Sequence, residues 1–351
     1  MFVVLPALIA LVLSMMPRSC FASVVCQAEL PMEYGYGSLT DFLPGGGYVG
    51  IIGDSSYPAI SDYTAKAGVW DASGKLIAQS PTMSVRGMTA AVAFSENEVL
   101  CSPEVGEGKP YVWNIKTGVI TVLDNLTGSI MSASDGAGNC VGRQDGKAIL
   151  RKNDGTVVTL RGLVSDEAGS EVWAMNSNLQ SVGLASGVDG QHGVIWDGAG
   201  NVIADLGLDF DPQDISDDGQ VVGFQWTEAG DQAAVNWKNG VLAVVDDIGL
   251  YPMFTGVNNL GRIIGSVYDA SGTPHAFLQD ADGTRKWLDA VGTEFRPVKI
   301  GDNGVIIGSS YITDGRTAPV ILTPAVPEPG SFVLALPSLM VIGALRWRRR
   351  R

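Results

Sequence analysis

The sequence predicts an all-β protein: a β-propeller-like ring of about seven four-stranded blades, placed between an apolar N-terminal helix and an apolar C-terminal helix. Two observations predict the ring. A turn-then-strand phrase recurs about every 42 residues, and short runs of valine and isoleucine alternate with glycine-containing turns. An apolar run at each end of the chain predicts the two helices. We therefore expect three segments: 1–22, 23–324 and 325–351.

The amino-acid composition agrees with many short strands. Hydrophobic side chains make up 46% of the 351 residues, which is enough to fill a sizeable core. The 45 glycines and the charged fraction of only 17% favour tight turns and short strands over helices. This composition disfavours a chain that is disordered throughout.

The recurring phrase consists of a polar turn, a glycine and two β-branched residues that close on a small residue. Its closing positions are Gly50, Cys101, Gly142, Gly183, Gly223, Gly265 and Gly308. They lie 51, 41, 41, 40, 42 and 43 residues apart, so only the first interval is irregular. This period matches a four-stranded propeller blade, whereas a β-helix coil would repeat at roughly half the length.

A second phrase follows most closing positions: a short strand that ends near tryptophan, and then a tight turn. Its copies are Val69-Trp70, Val112-Trp113, Ile149-Leu150, Ile195-Trp196, Asn236-Trp237 and Phe277-Leu278. The last unit, residues 304–323, contains only two clear strand runs. We expect residues 27–44 to supply the missing strands and to close the ring, because closure removes exposed strand edges.

The N-terminus has the features of a secretory signal peptide. Residues 2–16 form an apolar run that is too short to span a bilayer comfortably, and small residues surround Ala22 shortly afterwards. We predict cleavage after Ala22. The basic residues usual ahead of such a run are missing. Two alternatives are a lipoprotein signal through Cys26, which the bulky Val25 disfavours, and a buried core helix.

The C-terminus has three parts in a defined order. The motif Val326-Pro327-Glu328-Pro329 precedes an apolar stretch over residues 332–345. A basic cluster ends the chain: Arg346, Arg348, Arg349, Arg350 and Arg351. This arrangement resembles the PEP-CTERM sorting signal of bacteria that secrete exopolysaccharide. The prolines would keep the motif extended, and the arginines would stop export on the cytoplasmic side.

In the PEP-CTERM family, the membrane enzyme exosortase is thought to cut near the motif and to release or transfer the protein. The resemblance implies exosortase and the secretion machinery as partners, with membrane contact through the C-terminal helix before processing. It implies a secreted or cell-surface location. The alternative is a plain single-pass anchor, although fourteen apolar residues interrupted by Pro337 are short for a permanent one.

The charge of the mature domain restricts its partners. Without the two terminal segments the chain has 17 basic and 36 acidic residues, a formal charge of −19. Such a surface repels phosphate backbones and anionic lipids, which disfavours nucleic-acid binding. Divalent cations, neutral polymers such as exopolysaccharide, and other envelope proteins are better candidates.

The later units resemble the HAF extracellular repeat, which is named after a tripeptide. The stretch over 257–265 matches its turn and strand, and His275-Ala276-Phe277 is the tripeptide itself. The tryptophan that should follow is Gln279 here. The resemblance extends from about residue 176 to 323, and it implies an exported β-repeat fold with no generally assigned activity.

The sequence contains no clear catalytic constellation. His192 and His275 occupy nearly equivalent positions at the start of the tryptophan strand, so a shared structural role is favoured over catalysis or metal binding. No G-x-S-x-G motif surrounds a serine, and no CxxC pair predicts zinc. Cys101 and Cys140 lie on corresponding strands of neighbouring units, where either a disulfide or two buried thiols would fit.

Three further patterns have an ordinary structural interpretation beside a functional one. Residues 45–50 match G-x-G-x-x-G, but strand residues follow the glycines, which indicates a turn. Acidic residues crowd one connection and could ligate calcium, although aspartate is common in turns. They are Asp205, Asp209, Asp211, Asp214, Asp217 and Asp218. Half of a calcium loop also occurs at Asp280 and Asp282. Trp173, Trp226 and Trp287 could stack on sugar rings or pack between blades.

The leading hypothesis from the sequence is a non-enzymatic, exported surface or matrix protein associated with exopolysaccharide or the biofilm matrix. It predicts no catalytic residues and no cofactor, with calcium left open. The alternative is a carbohydrate-active hydrolase or lyase on a propeller scaffold. Paired carboxylates about 5 to 10 Å apart in a central pocket would favour that alternative.

Overall fold

The computed structural model describes residues 24–28, 35–53, 65–81, 88–103, 108–165, 169–227, 230–245, 248–288, 294–311 and 316–324. These residues form 28 β-strands and one short 3-10 helix, Asp124–Leu126. The all-β prediction is confirmed over this part of the chain. The predicted signal and sorting segments, with Ala22, residues 326–329 and the arginine cluster, lie outside the described residues. Within the ranges above, no helix is long and apolar enough to cross a membrane.

The strands of the first half are β1 (Val24–Gln27), β2 (Tyr36–Phe42), β3 (Tyr48–Gly53), β4 (Ala65–Trp70), β5 (Leu76–Gln79), β6 (Met88–Ser95), β7 (Glu98–Pro103), β8 (Tyr111–Asn114), β9 (Ile120–Val122), β10 (Ile130–Ser134), β11 (Cys140–Gln144), β12 (Lys147–Arg151), β13 (Val157–Thr159) and β14 (Ser170–Met175). Those of the second half are β15 (Ser181–Ser186), β16 (Gln191–Trp196), β17 (Val202–Leu208), β18 (Phe210–Ile215), β19 (Val221–Trp226), β20 (Gln232–Lys238), β21 (Val241–Val245), β22 (Leu250–Val257), β23 (Ile263–Tyr268), β24 (Pro274–Gln279), β25 (Arg285–Trp287), β26 (Phe295–Ile300), β27 (Ile306–Tyr311) and β28 (Thr317–Thr323).

These strands form seven blades. Five separate four-stranded sheets, β6–β9, β10–β13, β14–β17, β18–β21 and β22–β25, are blades 2 to 6. The remaining eight strands form one sheet that contains two blades, β2–β5 and β26–β28 with β1. These two are joined by a single parallel pair, Tyr36 with Thr317. The seven predicted closing positions all lie on the second strand of a blade, and the tryptophan phrases lie on third strands.

The N-terminal strand completes the last blade. Strand β1 pairs with β28, and the N–H of Ala28 donates a hydrogen bond of 3.0 Å to the carbonyl of Pro319. The N-terminal region closes the ring as predicted, but it supplies one strand, and most of the predicted range 27–44 does not belong to the last blade. The closing strand begins at Val24 rather than near residue 27, and β2 belongs to blade 1.

The apolar core lies between the blades. In the described part of the chain, the buried apolar residues form seven clusters, and each cluster combines residues from two neighbouring blades. The cluster between blades 7 and 1 contains Ile307 and Ile321 on one side and Leu39 and Ile52 on the other. The ring is therefore closed by apolar packing as well as by strand pairing.

The paired β-branched residues of the repeat follow from this packing. Adjacent residues of a strand point to opposite faces, and both faces of a blade are covered. Val221 packs toward blade 4 while Val222 packs toward blade 6, and Ile263 and Ile264 divide in the same way. Burying such a side chain contributes roughly 1.5 to 3 kcal/mol.

The closing glycine of the repeat is required by a bulge in the first strand of the blade. In blade 4, Val172 pairs with Gly183 and Ala174 pairs with Val182, so Trp173 is extra. The bulge brings the carbonyl of Glu171 so close that a Cβ on Gly183 would lie 2.0 Å from its oxygen. Blades 1, 3, 5, 6 and 7 have a bulge at the same place, opposite the other closing glycines.

Blade 2 has a cysteine in place of the closing glycine, and its first strand has no bulge opposite that residue. Its closing residue is Cys101, which pairs with Ala91 in a stretch where register continues through Val92 and Ala93 without a bulge. A side chain is accommodated there because the register is regular and no bulge pushes a carbonyl of the first strand toward it. Cys101 is fully buried in the cluster between blades 1 and 2.

We expect Gly183→Ala to lower the free energy of unfolding by about 3 kcal/mol, because the new methyl group overlaps the Glu171 carbonyl. Gly169→Ala is the matched control and should change stability by less than about 0.5 kcal/mol, because the nearest atom to its new Cβ would be Ser186 Oγ at 3.8 Å. Urea unfolding of residues 23–324 measures both. Equal effects would contradict the role of the bulge.

Candidate functional site

A pocket of about 330 Å³ opens at the centre of the ring. The first strands of neighbouring blades contact one another, so they are the innermost strands. All seven blades contribute to the pocket through the end of the innermost strand or the turn that follows it. Propeller centres are a natural place for a ligand, since loops from every blade converge there.

Three charged residues occupy the same structural position in this pocket. Asp41, Asp214 and Lys299 each follow the bulge and each lie nine residues before a closing glycine. They come from blades 1, 5 and 7. Ala133, Ala174 and Gly256 hold this position in three other blades.

The two carboxylates make equivalent hydrogen bonds. Asp41 accepts from its own neighbour, the N–H of Phe42, at 2.9 Å, and from the N–H of Ala93 in blade 2 at 3.1 Å. Asp214 accepts from the N–H of Ile215 at 2.9 Å, and from the N–H of Val257 in blade 6 at 2.9 Å. Each carboxylate thus ties the innermost strand of its blade to that of the next.

Lys299 joins the last blade to the first. Its ammonium donates to Asp41 Oδ1 at 2.5 Å, and the Asp41 side chain is almost completely buried. Burial alone would lower the pKa of Lys299, but the charges of Asp41 and Asp214 outweigh it and raise the pKa. Lys299 is therefore a fixed cation between two carboxylates at the junction of blades 7 and 1.

Asp214 is a carboxyl group of the pocket with a strongly raised pKa. Burial raises its pKa to about 6, and the positive charge of Lys299 limits the rise. Such a carboxyl can hold or release a proton near neutral pH, which is a property of general acids and bases. Asp211 has a similar pKa of about 6, also because of burial, and accepts from Gln213 Nε2 at 2.9 Å.

A belt of polar turn residues surrounds the mouth of the pocket in blades 4 to 7. Ser177 donates to Asp217 through its N–H at 3.0 Å and its hydroxyl at 2.7 Å. Asn259 of blade 6 connects blades 5 and 7. Its Nδ2 donates to Asp217 of blade 5 at 2.9 Å and to Asp302 of blade 7 at 3.0 Å. These bonds link four successive blades at one rim.

The two histidines lie away from this centre. Both are the second residue of a third strand, as the sequence predicts. His192 contacts Asp205 at 3.0 Å and Asp189 at 2.8 Å, and these hydrogen bonds raise its pKa. His275 contacts Asp269 at 3.3 Å.

Of the two alternatives for the cysteines, the structure has buried thiols. Cys101 and Cys140 are both free and buried, in clusters on opposite sides of blade 2. Burial raises the pKa of each thiol to about 12. The glycine run at 45–50 is a turn and strand, as predicted, with Gly46 and Gly47 at φ values of 94° and 93°.

The acidic connection in blades 4 and 5 does not form one cluster. Asp205 contacts His192, Asp214 lies in the central pocket, and Asp218 pairs with Lys238 at 2.6 Å. Asp280 pairs with Lys286 at 2.7 Å and with Arg262 at 3.2 Å. Among the described residues, no three His, Cys, Asp or Glu side chains are grouped so that they could hold a metal ion.

The three tryptophans outside the regular position are partly exposed. Trp173, Trp226 and Trp287 keep 39%, 48% and 52% of their surface, so each has a large area open to solvent. By contrast, the regular Trp70 and Trp196 are fully buried.

Comparisons with known proteins identify the fold. No family model matches the sequence, and no curated protein matches it. The structure is similar to that of a streptogramin B lyase, with a TM-score of 0.56 and 12% identity over 87% of this chain and 100% of the other. It is also similar to YCF48 from Cyanidioschyzon merolae, with a TM-score of 0.52 and 10% identity over 86% and 98% of the two chains. The WD40 domain of Toxoplasma gondii coronin gives 0.50 and 10% over 87% and 85%. At these identities the comparisons show a β-propeller-like fold alone.

The central charges could have been found in the sequence. They lie outside the two phrases that define the repeat, the closing residues and the tryptophan strand. Aligning the position nine residues before each closing residue brings Asp41, Asp214 and Lys299 into one column of otherwise small or apolar residues. An alignment of the repeats does not reveal that these three side chains line one pocket at the centre of the ring.

We expect the stability of the protein to depend on pH through Asp214. Its pKa is about 6 in the folded state and 3.8 ordinarily, so the folded state binds the proton more tightly. Its contribution is present at pH 4 and is lost as pH rises through 6, by roughly 1 to 3 kcal/mol. In urea unfolding, the free energy of unfolding of the wild type minus that of Asp214→Asn should decrease as the pH is raised from 4 to 7.5.

Asp218→Asn is the control for this measurement. Hydrogen bonds from Lys238 and Ser216 lower the pKa of Asp218, so this carboxylate is already ionised over the same pH range. The difference between wild type and this variant should stay nearly constant. The same pH trend in both variants would refute the assignment to Asp214.

Proposed function

We propose that this protein is an exported, non-enzymatic protein of the cell surface or extracellular matrix, associated with exopolysaccharide. Its signal peptide is cleaved after Ala22, and exosortase processes it near Val326-Pro327-Glu328-Pro329. The observation that carries the proposal is the order of motif, apolar stretch and arginine cluster at the C-terminus. Before processing, the apolar stretch holds the protein in the inner membrane.

The boundaries of the ring support this proposal. The closing strand β1 begins at Val24, two residues after the predicted cleavage site, and the last strand ends at Thr323, three residues before the sorting motif. Residues 25–322 form one compact unit. Both terminal segments can therefore be removed without taking a strand from the ring.

The hydrogen bonds of the central pocket support a non-enzymatic role. Asp41 and Asp214 each accept two backbone N–H groups, and Lys299 is paired with Asp41. Groups that are occupied in this way hold the blades together. The acidic surface favours a neutral polymer as the partner.

We expect Glu328→Ala with Pro329→Ala to block processing when the full chain is expressed in its host. The wild type should appear in the surface or secreted fraction without its C-terminal segment, while the variant stays full-length in the membrane fraction. Ser331→Ala is the control and should be processed normally. Mass spectrometry of each fraction gives the termini. A cytoplasmic wild type with both ends intact would refute export.

A carbohydrate-active hydrolase or lyase is the second candidate, and one observation favours it. Asp41, Asp214 and Lys299 converge in one central pocket, and the pKa of Asp214 lies near 6. That combination could serve acid and base catalysis. One structural neighbour is a streptogramin B lyase, and its likeness to this chain concerns the fold.

We expect the mature ring to leave host exopolysaccharide uncut. Residues 23–324 are incubated with the polymer, and new reducing ends and unsaturated ends are measured. Turnover by the wild type that Asp214→Asn abolishes and Asp218→Asn preserves would favour the second candidate over the first. Absence of turnover with intact polymer binding agrees with the non-enzymatic proposal.

A further inference from the structure

We propose a saccharide-binding site on blade 6 that stacks a neutral pyranose ring on Trp287. This inference deepens the proposed association with exopolysaccharide and rests on it. The site is a pocket of about 350 Å³ that lies apart from the central one. Its lining includes Trp287, Tyr268, Val267, His275 and Asp269. That volume falls in the range of small-molecule sites.

Two exposed aromatic side chains give this pocket an apolar wall. Trp287 on β25 keeps 52% of its surface and Tyr268 at the end of β23 keeps 38%. The two rings line the same pocket, and a contiguous exposed apolar patch of this kind can mark a ligand-binding surface. A pyranose ring offers an apolar face of C–H groups and a rim of hydroxyls, which matches an aromatic wall beside polar groups.

The Trp287 ring is held in place before any ligand arrives. It makes an edge contact with His275 at 6.2 Å and 76°, and another with Phe277 at 6.0 Å and 79°. Phe277 is fully buried in the core between blades 5 and 6, so it is a rigid support. A fixed ring loses little conformational entropy on binding.

Asp269 supplies the polar side of the pocket. Its Oδ1 accepts from the N–H of Ser271 at 2.8 Å and of Thr273 at 2.9 Å, while Oδ2 contacts His275 at 3.3 Å. The hydrogen bond from the Ser271 hydroxyl, followed by that from the Thr273 N–H, lowers the pKa of Asp269. An ionised carboxylate accepts hydrogen bonds from sugar hydroxyls and repels uronate or sulfate groups. Together with the acidic surface, it selects neutral sugars.

Blade 5 provides an internal comparison. Trp226 occupies the position of Tyr268, three residues after the closing glycine, and it is similarly exposed. The position of Trp287 is held there by Val244, which pairs with Val235 as Trp287 pairs with Phe277. Trp226 has an edge contact with Phe224 but no aromatic residue at the position of Trp287, which makes it the matched control.

Affinity electrophoresis and tryptophan fluorescence titration of residues 23–324 test this site. The probes are three soluble neutral polysaccharides, dextran, mannan and xyloglucan, with alginate as the anionic comparison. We expect the wild type to bind at least one neutral polymer and to ignore alginate. Trp287→Ala should weaken that binding at least ten-fold, and Tyr268→Ala should weaken it by a smaller factor. Trp226→Ala should stay within two-fold of wild type, and Trp287→Phe should retain part of the affinity.

Thermal unfolding of each variant shows whether the ring is intact. Trp287 lies on the outermost strand of its blade, so its truncation should leave the fold unchanged. Wild-type binding that Trp287→Ala leaves unaltered would overturn this site, while the proposed polysaccharide association would stand. A wild type that binds alginate best, or binds host polymer but none of the neutral probes, would also overturn it. Retention on neither the probes nor host polymer would remove the proposed association itself.

Discussion

The structure depends on face-to-face packing between neighbouring blades. Each blade buries apolar residues on both faces, and no blade has a complete core by itself. The seventh interface exists only when blade 7 meets blade 1, where Ile307 and Ile321 pack against Leu39 and Ile52. Strand β1 completes blade 7 beside that interface. A chain that lost β1 would expose the edge of β28 and weaken the closure of the whole ring.

One local device accounts for both the repeat and the central site. In every blade except blade 2, the bulge in the innermost strand requires a glycine opposite it, as the 2.0 Å approach at Gly183 demonstrates. The residue after the bulge lies beside the innermost strand of the next blade, so a polar side chain at that position can form a hydrogen bond with it. Alanine or glycine is accommodated there without a partner, whereas Asp41 and Asp214 find a backbone N–H in the following blade. The geometry that forms the blades thus also places charge at the centre.

The sequence predicts the structural features that every blade shares, but it does not predict the features that distinguish one blade from another. The closing glycines, the tryptophan strands and the need for an N-terminal closing strand all follow from local spacing. The Lys299 to Asp41 pair joins positions 258 residues apart, so no local pattern reveals it. The exposure of Trp287 follows from its place on the outermost strand of blade 6, where the equivalent Val244 of blade 5 is also exposed. Such features require the arrangement of the blades in space.

The central ion pair lies at the one interface whose two blades are distant in the sequence. Six interfaces join consecutive units, while blades 7 and 1 must find each other from opposite ends of the ring. Burying the Asp41 carboxylate costs free energy, while Lys299 keeps 38% of its side chain exposed, and an apolar pair could pack as well. A buried charge accepts few partners, however, so this pair favours one register for closure over slipped alternatives. The centre therefore holds the ring together, which agrees with our proposal that recognition occurs at outer positions such as Trp287, on the outermost strand of its blade.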